Sequence, residues 1–204
     1  MTDTLYTIGY SGFKIEDFLS VIRSHNISAL IDVRSNPYSA HFPEFNKERL
    51  ESHLYKNSIQ YRNYSKEFGA QQMNRAYYSP EGFLDFERFV KSESFREGYT
   101  KLLNGMKQDF TFALMCAEKK PIDCHRAIMI SRVFHEAGHN VVHLLPNDET
   151  ASQNDIEEYM LDYYFPNRMQ FSLFEVVDKT TLIINAYRKK NAEIGFRPEE
   201  RKAI

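Results

Sequence analysis

Apolar positions in the first third of the chain switch between two spacings, and the switches mark strands alternating with helices. Leu5-Tyr6-Thr7-Ile8-Gly9-Tyr10 is a short apolar run of the kind that forms a buried strand. Ile15, Phe18, Leu19 and Ile22 then recur at i, i+3, i+4 and i+7, which predicts an amphipathic helix. Ala29-Leu30-Ile31-Asp32-Val33-Arg34 reads as a second strand that turns polar at its end, followed by loop chemistry in Ser35-Asn36-Pro37-Tyr38-Ser39. Asn46 is a suitable cap for a helix carrying Leu50 and Leu54, and residues 59–64 alternate like a third strand.

Residues 68–78 are polar and aromatic without a period, as a long surface loop would be. Ser79-Pro80 has the cap-then-proline signature of a helix start, with Phe83, Phe86, Phe89 and Val90 as the apolar face. A second helix is predicted through Phe95, Tyr99, Leu102, Leu103 and Met106. The run from Phe110 to Cys116 is the most apolar in the chain and should be a central parallel strand. A helix is expected from Cys124 to about Ala137, closed by Gly138 as a left-handed cap, and then a strand from Val141 to Leu145.

Beyond Pro146 the alternation stops, and helices are expected over residues 155–164 and 176–190. The fold class is therefore α/β: an open, mostly parallel sheet of about five strands flanked by helices, with a helical C-terminal extension. Residues 1–150 form the α/β domain in this reading and 151–204 the extension packed on it.

Composition narrows the picture. Hydrophobic residues make up 42% of 204, enough for a core. A net charge of -2 removes a global electrostatic pull on nucleic acid or anionic lipid. The N-terminus has no signal-like pattern, and no run approaches the roughly 20 apolar residues of a membrane span. A cytoplasmic protein with no membrane partner is expected. Two Cys, at 116 and 124, are too few for a disulfide framework.

The chemistry gathers at two strand-to-helix corners. In an open parallel sheet, ligands bind beyond the carboxyl ends of the strands. At the first corner Arg34 can hold a phosphate or carboxylate with its planar fork, while Asp32 orients it or acts as a base. A sealed structural ion pair is the other reading. At the second corner Asp123 is the expected N-cap, which puts Cys124, His125 and Arg126 in the first helical turn, where free N–H groups favour an anion or a thiolate. The negative charge of Asp123 opposes that thiolate. Cys124 reads equally as nucleophile and as packing residue, and Cys116 as packing. Glu118, on the loop between the cysteines, joins Asp32 as a group that orients or relays protons.

Three other chemistries fit less well. Cys116, Cys124 and His125, with His41 or His143 added, match no compact zinc spacing, so neither metal nor cofactor is expected. Nine residues separate Cys116 from Arg126, too many for a phosphatase or sulfurtransferase cradle. A redox pair of Cys116 and Cys124 would have to bridge the loop.

Tyr6-Thr7-Ile8-Gly9-Tyr10-Ser11, Ile31-Asp32-Val33-Arg34-Ser35-Asn36-Pro37, Phe45-Asn46, Met115-Cys116-Ala117-Glu118 and Cys124-His125-Arg126 together resemble the bacterial "domain of unknown function" family 488. The resemblance runs to about Leu145. It implies shared polar positions at Asp32, Arg34, Ser35, Cys116, Glu118, Cys124, His125 and Arg126, but no settled activity and no catalytic roles. The Asp-Val-Arg corner is also similar to one in rhodanese-like domains, from which the cysteine loop departs.

The leading expectation is an enzyme acting on a phosphate-bearing or other anionic substrate, a nucleotide or nucleic acid. Cys124, His125, Asp32 and Glu118 would be its catalytic groups, and Arg34, Ser35, Arg126 and Tyr10 its substrate-binding groups. A second expectation is a DNA-maintenance accessory protein. Gln170-Phe171-Ser172-Leu173-Phe174 is similar to a sliding-clamp docking peptide, with Gln170, Leu173 and Phe174 as its anchors, although the same residues suit burial against the domain itself. The interleaved rings and cations of Tyr61, Arg62, Tyr64, Lys66, Arg75 and Tyr77 give some support to a nucleic-acid partner. A thiol redox protein is the third expectation.

Overall fold

A computed structural model describes residues 4–168 and 178–198. Among them the chain runs β1 (Thr4–Gly9), α1 (Ile15–Ser24), β2 (Ala29–Asp32), α2 (Lys47–Lys56), β3 (Gln60–Asn63), α3 (Ser65–Phe68), α4 (Phe86–Phe89), α5 (Glu93–Met106), β4 (Phe112–Cys116), α6 (Arg132–Glu136), β5 (Asn140–Leu144), β6 (Thr150–Ser152), α7 (Gln153–Tyr164) and α8 (Lys179–Ile194). A π-helical stretch, Arg126–Ser131, leads directly into α6.

The sheet order is β3-β2-β4-β1-β5-β6, parallel except for β6. The α/β class stands, with six strands rather than about five. The sixth pairs antiparallel with β5, from Val142–Ser152 to Leu144–Thr150. Thr-Ala-Ser has no apolar period because an edge strand of three residues buries little, and so the sheet runs on past residue 150.

Side-chain alternation builds two cores, one on each face. Along β4, Phe112, Leu114 and Cys116 pack with Leu5, Ile31, Val33 and Val141 beneath α5, α6, α7 and α8. Ala113 and Met115 face the other way, with Ile8, Leu30 and Leu144 beneath α1 and α2. Strand β4 is buried along its whole length, as its composition predicts.

Three helix expectations need correction. Ser79-Pro80 does not open a helix. Tyr78 bridges Leu84 in antiparallel fashion, Gly82 takes φ +85°, and the Ser79 Oγ accepts from the Glu81 N–H, which makes a turn. Helix α4 starts only at Phe86, capped by Asp85, whose side chain accepts from the Arg88 N–H. The last helix begins at Lys179 and runs to Ile194. Residues 170–174, the proposed docking peptide, and Val176 lie outside the described residues. The third correction, at Asp123, belongs to the site.

Helix α8 joins the domain through Tyr187 and Asn191. The Asn191 side chain accepts from the Phe86 N–H at 2.9 Å and donates to the Leu84 carbonyl at 2.8 Å. No helix among the described residues is long and apolar enough to cross a membrane.

Candidate functional site

Both polar corners lie at the carboxyl edge of the sheet, where β2 and β4 run side by side. The first is an ion pair set by the pleat. Asp32 and Arg34 point to the α1 and α2 face. The Arg34 Nε donates to Asp32 Oδ1 at 2.9 Å, and Nη2 donates to Oδ2 at 2.6 Å. The Tyr61 hydroxyl donates to the same carboxylate at 2.7 Å. Tyr10 lies under the guanidinium, 5.2 Å from ring centre to Cζ, and stacks on Phe45. Arg34 is 4% exposed and Asp32 0%, yet the Arg34 Nη1 has no hydrogen-bond partner. Burial works against the Arg34 charge, but the Asp32 carboxylate outweighs it and raises the guanidinium pKa further. Burial, and then the Asp32 charge, raise the Tyr61 phenol. Ser35 points elsewhere, its Oγ accepting from the Gln71 N–H at 2.8 Å and so tying down the long loop.

The second corner opens on the opposite face. Cys124, not Asp123, is the N-cap. Cys124 has extended φ/ψ of −135° and 137°, and its carbonyl accepts from the N–H groups of both Ala127 and Ile128. Its sulfur accepts weakly from the Arg126 N–H at 3.5 Å, in the manner of a capping serine. Asp123 turns outward to Lys190, 2.9 Å away on α8. The acidic charge that sequence placed beside the thiol is therefore drawn off by a partner 67 residues on.

Three donor atoms converge there. The Cys116 Sγ, Cys124 Sγ and a His125 ring nitrogen all lie within 4.8 Å of one another. His125 Nδ1 is 3.8 Å from the Cys116 sulfur and 3.9 Å from that of Cys124. His125 Nε2 is 3.1 Å from the Val33 carbonyl oxygen. A carbonyl only accepts, so Nε2 carries a proton and Nδ1 faces the sulfurs. Glu118 stands on an exposed loop with its carboxylate turned inward, its Oε2 2.9 Å from the Cys124 Sγ.

Burial and the charges of close neighbours set the electrostatics of this group. Burial opposes a Cys124 thiolate, but the Cys116 thiol as donor and the charges of Arg126 and His125 overcome it and hold Cys124 well below the usual thiol range. Cys116 goes the other way, raised by burial and then by its neighbour's sulfur. Glu118 is raised by burial and then by Cys124. At the 2.9 Å contact the Cys124 thiol donates to the Glu118 carboxylate, and the opposite shifts of the two groups bring their proton affinities closer together. Burial lowers the His125 pKa, but the Cys124 charge and hydrogen bond outweigh it, for a net rise.

Arg126 does not face an anion. It is fully buried, and its guanidinium is spent inside the fold: Nη1 donates to the Glu118 carbonyl at 2.7 Å, Nη2 to that of Lys119 at 3.5 Å, and Nε to Thr7 Oγ1 at 3.3 Å. It sets the shape of the loop that carries Glu118. Gly9 permits this approach, because a Cβ there would lie 1.8 Å from the Glu118 carbonyl oxygen.

From Arg126 a directed chain of buried hydrogen bonds continues. The Thr7 hydroxyl donates to His143 Nδ1 at 2.7 Å. His143 Nε2 donates to Gln153 Oε1 at 2.9 Å, and the Gln153 amide donates to the Ala127 carbonyl and the Tyr187 oxygen. Tyr187 ends the chain on Glu157. Burial, and then the Arg126 charge, lower His143 to about 4, so it is neutral as the chain requires. With both ring nitrogens engaged, His143 is no ligand for the cysteines, and His41 lies exposed.

Of the candidate residues singled out in the sequence, the structure groups Asp32, Arg34 and Tyr10 at one corner and Cys124, His125 and Glu118 at the other, the two linked through Val33. Sequence reasoning read Cys116 as packing, placed Tyr61 on a stacking surface where the structure buries it with its hydroxyl on Asp32, and did not single out Thr7, Gln153 or Tyr187. A polar Thr7 inside an apolar strand was the one available signal.

A family model described as "Domain of unknown function DUF488" matches residues 14–133. No curated protein and no solved structure matches the chain.

Proposed function

The chain belongs to the DUF488 family, and we propose that it is an enzyme acting on an anionic substrate, with Cys116, Cys124 and His125 as its reaction centre. The observation that carries this reading is the convergence of the three donor atoms within 4.8 Å, with Glu118 lying against them. A buried sulfur–imidazole cluster beneath one inward-turned carboxylate is more than packing requires. Glu118 is the proton-moving group, held by a loop that Arg126 shapes. Anion recognition falls to the Arg34 Nη1, which is buried without a partner, and to the exposed Lys119 and Lys120 beside Glu118.

The test is turnover of nucleoside mono-, di- and triphosphates, p-nitrophenyl phosphate and a single-stranded oligonucleotide by the wild type, Glu118→Gln and Cys124→Ser. Activity that falls at least about 100-fold in both variants supports the reading. Turnover that is absent throughout, or unchanged in both, removes it.

A thiol redox role has one observation in its favour, the closeness of the two sulfurs. Oxidised glutathione would take up two electrons and two protons as the thiols join, and peptide mapping without reductant would find the cross-link. Two free thiols after that treatment end the redox reading.

A further inference from the structure

The same three side chains have the composition and arrangement of a metal site. Two thiols and an imidazole are the donors that select zinc-class divalent ions over hard cations. With zinc–sulfur bonds of about 2.3 Å and zinc–nitrogen bonds of about 2.0–2.1 Å, a tetrahedral ion would set each sulfur about 3.6 Å from the nitrogen. The separations here are 3.8 and 3.9 Å.

The surroundings fit as well. Ligating histidines commonly donate their second ring N–H to a carbonyl or carboxylate, which fixes the tautomer and aims the other nitrogen. His125 does this with Val33, leaving Nδ1 directed at both sulfurs. The Arg126 N–H on Cys124 is the kind of donor that supports a ligating thiolate. Cys116, Cys124 and His125 are 3%, 1% and 8% exposed. Buried groups of this kind need a cation or full pairing, and a divalent ion supplies it.

We propose that Cys116, Cys124 and His125 bind one zinc-class divalent ion. Three protein ligands leave a fourth position for water or substrate, the arrangement of a Lewis-acid site rather than of a closed structural one. Glu118 is outside the converging trio but against Cys124, so it is placed as the acid–base group beside that position rather than as a ligand. This deepens the enzyme reading, which concerns the same residues.

The test uses the reduced, tag-free full chain, stripped with chelator and titrated with Co2+, whose ligand-field and thiolate charge-transfer bands report a tetrahedral sulfur site. We expect one equivalent bound. Cys116→Ser, Cys124→Ser and His125→Gln should each weaken binding by more than about 100-fold, whereas Glu118→Gln, which alters a neighbour of a ligand and no ligand, should weaken it by no more than about 10–100-fold. As a check needing no variant, Zn2+ should shield both cysteines of the wild type from iodoacetamide, and chelator should restore their reaction. A folded wild type that shows no such bands and no shielding overturns the proposal, as does binding indifferent to the three ligand substitutions. Metal binding without turnover of any probe sinks the enzyme reading and leaves the metal site. Turnover that depends on Cys124 but withstands chelator does the reverse.

Discussion

His125 Nε2 lies 3.1 Å from the carbonyl oxygen of Val33, and that hydrogen bond joins the two corners of the site across the end of the sheet. Asp32 and Arg34 flank Val33 and face α1 and α2, while the cysteines face the other layer. A single backbone carbonyl thus fixes which nitrogen of His125 meets the sulfurs. A long-range proton–nitrogen correlation spectrum should show Nε2 protonated and its proton protected from solvent. A neutral His125 with its proton on Nδ1 would contradict this arrangement.

The Asp32–Arg34 pair should behave as a unit. Arg34→Met leaves a buried carboxylate held only by Tyr61 and the Arg34 N–H, and should cost about 3–5 kcal/mol. Asp32→Asn, which leaves the guanidinium uncompensated, should cost a similar amount. The double substitution should cost clearly less than the two combined. Urea unfolding of the four proteins checks this, and additive losses would show that the pair is not coupled.

Gly9→Ala should disturb the site without replacing any of its polar side chains. The added Cβ would meet the Glu118 carbonyl oxygen at 1.8 Å and the Arg126 Nη1 at 3.0 Å. Backbone stands in the way, so the loop must move, at a cost of about 3 kcal/mol or more. Hydrogen exchange should speed up over residues 117–120, and unchanged exchange there would be evidence against the clash.

Arg126→Lys should not be conservative. One ammonium cannot reach the Glu118 carbonyl, the Lys119 carbonyl and Thr7 together, as the guanidinium does. A loss of about 2–4 kcal/mol is expected in chemical denaturation. A variant as stable as the wild type would remove Arg126 from its place as keystone of the loop.

His143 should make stability depend on pH. Its pKa is about 4 in the fold against 6.5 for a free imidazole. The unfolded chain therefore takes up a proton below 6.5 that the folded chain refuses until about 4. The stability that His143 contributes is complete above the upper value and is lost as pH falls to the lower one, about 3 kcal/mol in all. Urea midpoints for the wild type and His143→Gln across this range should diverge, with the variant losing less on acidification. Parallel curves would mean that His143 is not the group responsible.

The legible part of this protein is its local order. The helical spacing of Ile15, Phe18, Leu19 and Ile22 and the apolar run into Cys116 determine α1 and β4, because the period of burial is a property of neighbouring residues. Position at the strand-to-helix corners also singled out Asp32, Arg34, Cys124 and His125 as candidate site residues. Where one local signal served two structures, sequence misled. Ser79-Pro80 suits a turn as well as a helix start, and the positive φ of Gly82 decided for the turn. Asp123 is the better cap by residue type, but Lys190 on α8 holds it outward and leaves the position to Cys124.

What only the tertiary structure decided is which distant groups meet. Placing β1 between β4 and β5 sets Gly9 beside Cys116 and Thr7 beside His143. From that register follow the path of Arg126, the shape of the Glu118 loop and the closeness of the two sulfurs. No local period links residues 7, 126, 143 and 153, since their union rests on strand order, and strand order is fixed by the burial of whole sheet faces.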